Sequence, residues 1–212
     1  MPSSKRTRIL DVPVDMVGSR EAMEIFRELM KTEDCSMIVT PNSEIVVNAA
    51  KDPELKAIIE QADLVIPDGI GLVYASKIMG VPLRERVTGI DFLGAVLAYL
   101  EETDQSIFFL GSKPGENGQP GIAEIAADRM KEKYKKLKIA GTHHGYFKEP
   151  DEAAIVKAIN ESGADFLCAA LGSPKQEKFI YRHRSELKVK GGIGVGGSLD
   201  VWAGTLKRAP EF

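Results

Sequence analysis

Short apolar runs rich in β-branched residues recur along the chain, at Arg8–Val14, Met37–Thr40, Leu64–Ile66, Ile107–Leu110, Leu137–Ala140, Phe166–Ala170 and Gly192–Val195. Between them lie stretches of helical period: Glu21–Lys31, Ser43–Lys51, Leu55–Gln61, Gly71–Met79, Asp91–Glu101, Ile122–Tyr134, Asp151–Asn160 and Lys175–Arg184. Runs this apolar suit strands buried on both faces, as in a parallel sheet. Strands alternating with helices predict a three-layer α/β fold. No linker, repeat or low-complexity tract interrupts the 212 residues, so residues 1–212 read as a single domain. The segment Gly115–Gly121, framed by two Pro-Gly pairs, reads as a mobile loop.

Composition narrows the class. At 43% hydrophobic and 28% charged, the chain suits a soluble globular domain and excludes disordered, collagenous or coiled-coil types. A net charge of -3 gives no electrostatic footprint for nucleic acid, and no nucleic-acid partner is expected. Cys35 and Cys168 sit inside apolar runs and read as buried thiols of a reducing compartment. No apolar stretch reaches the ~18 residues of a membrane span. The polar start, Met1–Arg6, predicts no secretory signal.

In open parallel sheets, ligands bind outside the carboxyl ends of the strands. The residues after each apolar run are therefore the candidates for chemistry. Thr40-Pro41-Asn42 is either a strand-to-helix turn capped by Asn42 or a hydroxyl and an amide held over the sheet. Asp68, in Pro67-Asp-Gly-Ile-Gly71, is a turn aspartate or cap, or else a general base or a ligand of sugar hydroxyls. Asp63 precedes that strand and reads as a cap or a solvent-facing residue. Arg84 and Arg86 are surface arginines or ligands of a diphosphate, which guanidinium groups match with two donors. Asp91 reads as the cap of the next helix.

The later turns are read the same way. Gly111-Ser112-Lys113 is a small loop through which backbone amides could approach a phosphate or nucleoside. It is neither a dinucleotide fingerprint nor a phosphate-binding Walker loop. His143 and His144 are adjacent and would point to opposite sides of a strand, so they make no zinc pair. Tyr146, after Gly145, stacks on a base or packs at the sheet end. Ser173–Gln176, after Gly172, fits a capping box with Pro174 at the first helical position, leaving Lys175 and Gln176 able to face a cleft. The glycines around Gly197 allow close backbone approach to a ligand, with Asp200 near for ribose hydroxyls. The chain has no Asp-x-Asp triplet. No metal or other cofactor is expected, and a leaving diphosphate would be stabilised by Arg, Lys and helix amides.

Taken in order, Thr40-Pro-Asn42, Pro67-Asp-Gly-Ile-Gly71, Arg86-Val-Thr-Gly89, Gly111-Ser-Lys-Pro-Gly115, Gly145-Tyr-Phe147, Gly172-Ser-Pro-Lys-Gln-Glu177 and Gly194-Val-Gly-Gly197 resemble the WecG/TagA/CpsF family of bacterial glycosyltransferases, nearest its TagA branch. The resemblance runs from about Ile9 to Pro210. It implies a Rossmann-like fold with a mostly parallel sheet. It also implies inverting transfer of N-acetylmannosamine from UDP-N-acetylmannosamine to polyprenyl-diphosphate-linked N-acetylglucosamine, in wall teichoic acid linkage-unit synthesis. On this reading Asp68 is the general base. Thr40, Asn42 and Gln176 position donor or acceptor sugar. Arg86 and the Gly111 loop lie near the donor, with Tyr146 and Asp200 at the nucleoside. Gly69, Ser112, Lys113, Gly145, Gly172, Ser173 and Gly197 complete the implied substrate-binding set.

The resemblance further implies a bacterial cytoplasmic enzyme, peripheral on the inner face of the plasma membrane. The family's basic C-terminal segment, thought to approach that membrane, would follow Arg208-Ala-Pro210, and this chain ends at Phe212. Without it, turnover is expected to suffer more than donor binding, and an uncovered apolar surface would favour a homo-oligomer. The Gly115–Gly121 loop is longer than is usual in the family. Related readings are a donor carrying N-acetylmannosaminuronic acid or another hexose, which would need a further cationic contact if carboxylated, and a non-catalytic nucleotide-binding module. A dinucleotide oxidoreductase is disfavoured because no Gly-x-Gly-x-x-Gly follows the first strand.

Overall fold

The computed structural model describes residues 4–208; the first residues of the polar start and the Ala209–Phe212 end lie outside the described residues. Six strands, β3 (Ser36–Val39), β4 (Leu64–Val65), β5 (Ser106–Gly111), β6 (Lys138–His143), β7 (Phe166–Ala170) and β8 (Gly191–Gly194), form one sheet in the order β4-β3-β8-β7-β5-β6. Every pairing in it is parallel, which meets the Rossmann-like α/β expectation.

Strand side chains alternate between two cores because successive residues point to opposite faces. Ile38, Phe109 and Cys168 enter one layer, while Met37, Phe108 and Leu167 enter the other. The first layer is covered by α1 (Ser19–Leu29), α5 (Gly89–Glu102), α6 (Ile122–Lys133) and α9 (Ser198–Trp202). The second is covered by α2 (Ser43–Ala49), α3 (Pro53–Glu60), α7 (Glu152–Glu161) and α8 (Lys175–Arg182). A further helix, α4 (Ile70–Ile78), follows β4. Phe26 of α1 meets Phe92, Tyr99 and Phe166 edge-on, with ring centroids 5.3–6.0 Å apart. Edge-on geometry suits the ring quadrupoles. Cys35 and Cys168 are buried and free. Burial pushes the Cys35 thiol up to about 12 and the Cys168 thiol higher still.

Several local expectations are corrected. Arg8–Val14 is no single strand. It contributes to a hairpin of β1 (Arg6–Ile9) and β2 (Val12–Asp15), closed by Leu10 and Asp11, both at positive φ as a tight right-twisting turn requires. The hairpin guards the edge strand β4: the buried Asp15 carboxylate accepts from the Val65 N–H at 2.6 Å and pairs with Arg6. Asp63 neither caps nor faces solvent freely, for its Oδ2 accepts from the Met37 N–H and from Arg184. Thr88, not Asp91, caps α5, its hydroxyl accepting from the Asp91 N–H. By contrast, Gly115–Gly121 is a loop, as expected, with Gln119 N–H donating to Glu116 O and Ile122 N–H to Lys113 O. Ser173 makes no capping bond; Pro174 is the N-cap of α8, and the α9 turn has no counterpart among the periodic stretches.

Truncating Phe26 to alanine should cost about 3–5 kcal/mol, because the site lies between packed aromatic rings and cannot collapse. Urea denaturation of Phe26→Ala checks this; a loss under about 1 kcal/mol would show that the aromatic cluster is not tightly packed.

Candidate active site

Four loops at the carboxyl ends of β3, β4, β7 and β8 enclose a cleft of about 300 Å³. Thr40, Asn42, Asp68, Ser173, Gln176 and Gly197 all line it, so the structure brings these six expected residues together. The side chains of Thr40, Asn42, Asp68 and Gln176 are each held by backbone. Thr40 Oγ1 donates to Gly194 O at 2.8 Å, tying β3 to β8 across the floor. Asn42 Oδ1 accepts from the Ile45 N–H and caps α2, which leaves its amide NH2 group to the cleft. Asn42 thus serves as a cap and as part of the lining at once.

Asp68 ends the β4 turn, where its own N–H donates to Pro41 O. Gly69, at φ 116°, makes the bend into α4 that a side chain would resist. The Asp68 Oδ2 accepts from the Gly89 N–H at 3.0 Å, at the start of α5. Burial pushes the Asp68 carboxyl above the ordinary aspartate range; the Gly89 bond and the nearby Arg86 charge oppose that rise. A side chain at Gly89 would crowd both Thr40 Oγ1 and Asp68 Oδ2, so the glycine lets helix, hydroxyl and carboxylate converge. Arg86 lies beside Asp68 with a buried Nε that has no hydrogen-bond partner. Arg84 instead pairs with Glu21 at the surface. Asp91, next to this group, accepts from Thr88 and from Arg208.

The remaining nominees are arranged along β5 and β6. Gly111, at φ 148°, faces Ala170 so closely that an added Cβ would lie 2.3 Å from the Ala170 carbonyl oxygen. Ser112 Oγ donates to Asp200 Oδ2 at 2.7 Å, so one Asp200 oxygen is already engaged within the protein. Gly145 packs against Gly111 and Ser112, and its N–H donates to Ser112 O. Lys113 lines a smaller cavity of about 190 Å³ with His143 and His144. Tyr146 is 64% exposed and does not pack at the sheet end. Lys175 turns from the cleft to donate to Gly145 O and Phe147 O, its ammonium over the Phe147 ring. Gly172, at φ 77°, makes the turn out of β7. A depression of about 620 Å³ between the hairpin and α1 is lined by the acidic ridge Glu21, Glu24 and Glu28, away from these strand ends.

Sequence reasoning did not single out Gly89, Gly196 or Glu177. Gly196 donates its N–H to Gln176 Oε1 at 2.9 Å, and Gln176 Nε2 donates to Glu177 Oε1 at 2.9 Å. The available signal was that Gln176 and Glu177 share a buried helix face with Phe179 and Ile180. Two polar residues on a core-facing stripe ask for partners. Among the described residues, no group of three or more His, Cys, Asp and Glu side chains comes together as a metal site would need. No helix among them is long and apolar enough to cross a membrane.

An open parallel α/β domain with a polar cleft and a partly buried carboxylate at its strand ends is the class this geometry defines. The glycosyl transferase WecG/TagA/CpsF family model matches residues 7–212, and the chain belongs to that family. It is 37% identical over 177 residues to the N-acetylglucosaminyldiphosphoundecaprenol N-acetyl-beta-D-mannosaminyltransferase of Bacillus spizizenii, covering 84% of this chain and 66% of that protein. A protein of the same name from Staphylococcus aureus (strain MRSA252) is 32% identical over 210 residues, 98% of this chain and 80% of the relative. The Bacillus subtilis protein of that name is 32% identical over 84% of this chain and 66% of its own length.

Burial of Asp68 has a thermodynamic sign. A carboxyl whose folded pKa is raised contributes stability below its unfolded pKa, and that contribution is lost as pH rises through the folded pKa. Ionised Asp68 therefore costs stability at neutral pH. Asp68→Asn, which keeps an acceptor for the Gly89 N–H, should melt higher than wild type at pH 7, with the gap closing in acid. A variant that melts lower at pH 7 would contradict the burial account.

Proposed function

We propose that the chain transfers N-acetylmannosamine from UDP-N-acetylmannosamine to N-acetylglucosamine carried on undecaprenyl diphosphate, with inversion at the anomeric carbon. The observation that carries this reading is the Asp68 carboxylate, half-buried in the cleft beside Arg86 and hydrogen-bonded to Gly89. The names of the relatives supply the sugar and the lipid-linked acceptor.

The chemistry is a single displacement. Asp68 takes the proton from the acceptor hydroxyl, whose oxygen forms the new bond to the anomeric carbon. The bond from that carbon to the diphosphate oxygen breaks, and its electron pair leaves with UDP. A carboxyl raised by burial is a better base than an ordinary aspartate. The Arg86 guanidinium, with an unengaged buried Nε, supports the charge that develops on the leaving diphosphate. Thr40, Asn42 and Gln176 hold the sugars in line, and the Gly111–Lys113 loop with Tyr146 and Asp200 lies toward the nucleotide. The lipid acceptor puts this reaction at the inner face of the bacterial plasma membrane, with the chain as a peripheral protein.

The test uses UDP-N-acetylmannosamine and a short-chain lipid-linked N-acetylglucosamine acceptor. Asp68→Asn should lower kcat by roughly 10²–10⁴-fold, the usual worth of a positioned base. Calorimetry should show UDP binding within about threefold of wild type, because the amide keeps the shape of the carboxylate and an acceptor for the Gly89 N–H. A chelator should leave both unchanged. Equal turnover in wild type and variant would overturn the base assignment, and transfer from a different UDP-sugar alone would overturn the donor assignment.

A further inference from the structure

The Gln176 side chain has two ends that look alike, and what faces them decides its orientation. The Gly196 N–H can only donate, so it requires the amide oxygen. The Glu177 Oε1 accepts, so it requires the amide nitrogen. The pair fixes the amide without ambiguity. Gly194 keeps the space clear: a Cβ there would lie 2.8 Å from Gln176 Nε2 and 2.9 Å from its Cγ. The consequence reaches the cleft, because Gly196 sits at φ 50° in the loop that forms its β8 wall.

Glu177 is an expensive way to hold an amide. It is 1% exposed, and its Oε2 is buried without a hydrogen-bond partner. The Ser173 hydroxyl lies beside that carboxylate, outside good hydrogen-bond geometry, and with Gln176 pulls its pKa down. Burial pushes the Glu177 carboxyl up, against the pull of its Gln176 bond. An apolar residue at this core-facing position would avoid that cost.

We propose that Glu177 is a positioning residue: it orients the Gln176 amide, which anchors the Gly196 loop and presents its second N–H toward the sugar or diphosphate in the cleft. The catalytic half of this inference rests on the glycosyl-transfer reading; the orienting half does not.

Two substitutions separate orientation from bulk stability. Glu177→Met keeps the length and removes the acceptor. Glu177→Gln keeps an acceptor for Gln176, while its own NH2 group can donate to Ser173. Isotope-edited NMR on the full chain reads the Gln176 side-chain amide, and hydrogen exchange reads the Gly196 N–H. Glu177→Met should shift the Gln176 amide signals and speed Gly196 exchange at least about tenfold, with an unchanged or higher Tm. Glu177→Gln should restore both signals. In the transfer assay, Glu177→Met should lower kcat on the order of 10- to 100-fold with little change in KM, as misplacement does, and Glu177→Gln should recover most of it. Wild-type signals in Glu177→Met, or a Glu177→Gln variant as impaired as Glu177→Met, would overturn the proposal. If the wild-type chain transfers no sugar, the function reading fails, and the NMR and exchange results still decide whether Glu177 orients Gln176.

Discussion

The Asp68 carboxylate is partly withdrawn from water at the carboxyl end of β4, and the backbone N–H of Gly89 meets it there. A buried carboxylate is costly unless fixed donors and charges surround it. That requirement orders the surrounding structure. The end of β4 must be rigid, though the strand has only two residues, so the Asp15 carboxylate of the hairpin binds the Val65 N–H from outside the sheet. The start of α5 must reach the strand end, and Gly89 is small enough to let it approach Thr40 and Asp68. The partial positive charge of a helix N-terminus then faces the carboxylate.

The opposite wall of the cleft follows the same logic with neutral groups. Thr40 crosses from β3 to β8, and Gln176 crosses from α8 to the loop after β8. The first bond joins strands that lie side by side in the sheet yet far apart in sequence. The cleft opens between β3, whose chain continues to β4, and β8, reached last from β7 on the other side. Such reversals of strand order are where open α/β sheets leave room for ligands. Glycines at 194 and 196 supply the space and the backbone conformation that side chains would deny.

The strands and most helices are legible in the sequence because both faces of the sheet are buried, which makes each strand an apolar run. Phe166–Ala170 is read to the residue. The hairpin is not legible. Arg8–Val14 looks like one strand, and its turn is made by Leu10 and Asp11 rather than by the glycine or asparagine that such turns favour. The short α9 gives too little sequence for a period of 3.6 residues to show. At the site, Asp68 is legible as a candidate because it follows the carboxyl end of an apolar run; the Asp-Gly pair alone would equally make a turn, and the order of the surrounding motifs is what singles it out. Glu177 is hidden by a pattern that imitates a capping box at Ser173–Gln176. Contacts such as Gly89 to Asp68 depend on the path of the loop between α4 and α5, which local patterning does not encode.

The most direct test of the central claim is a carbon-13 titration of the Asp68 carboxyl in the UDP-bound protein. The account predicts an apparent pKa above that of an ordinary aspartate, as its partial burial requires. Titration at or below the ordinary value would mean that Asp68 is a salt-bridged structural ion, and the assignment of the base would fall with it.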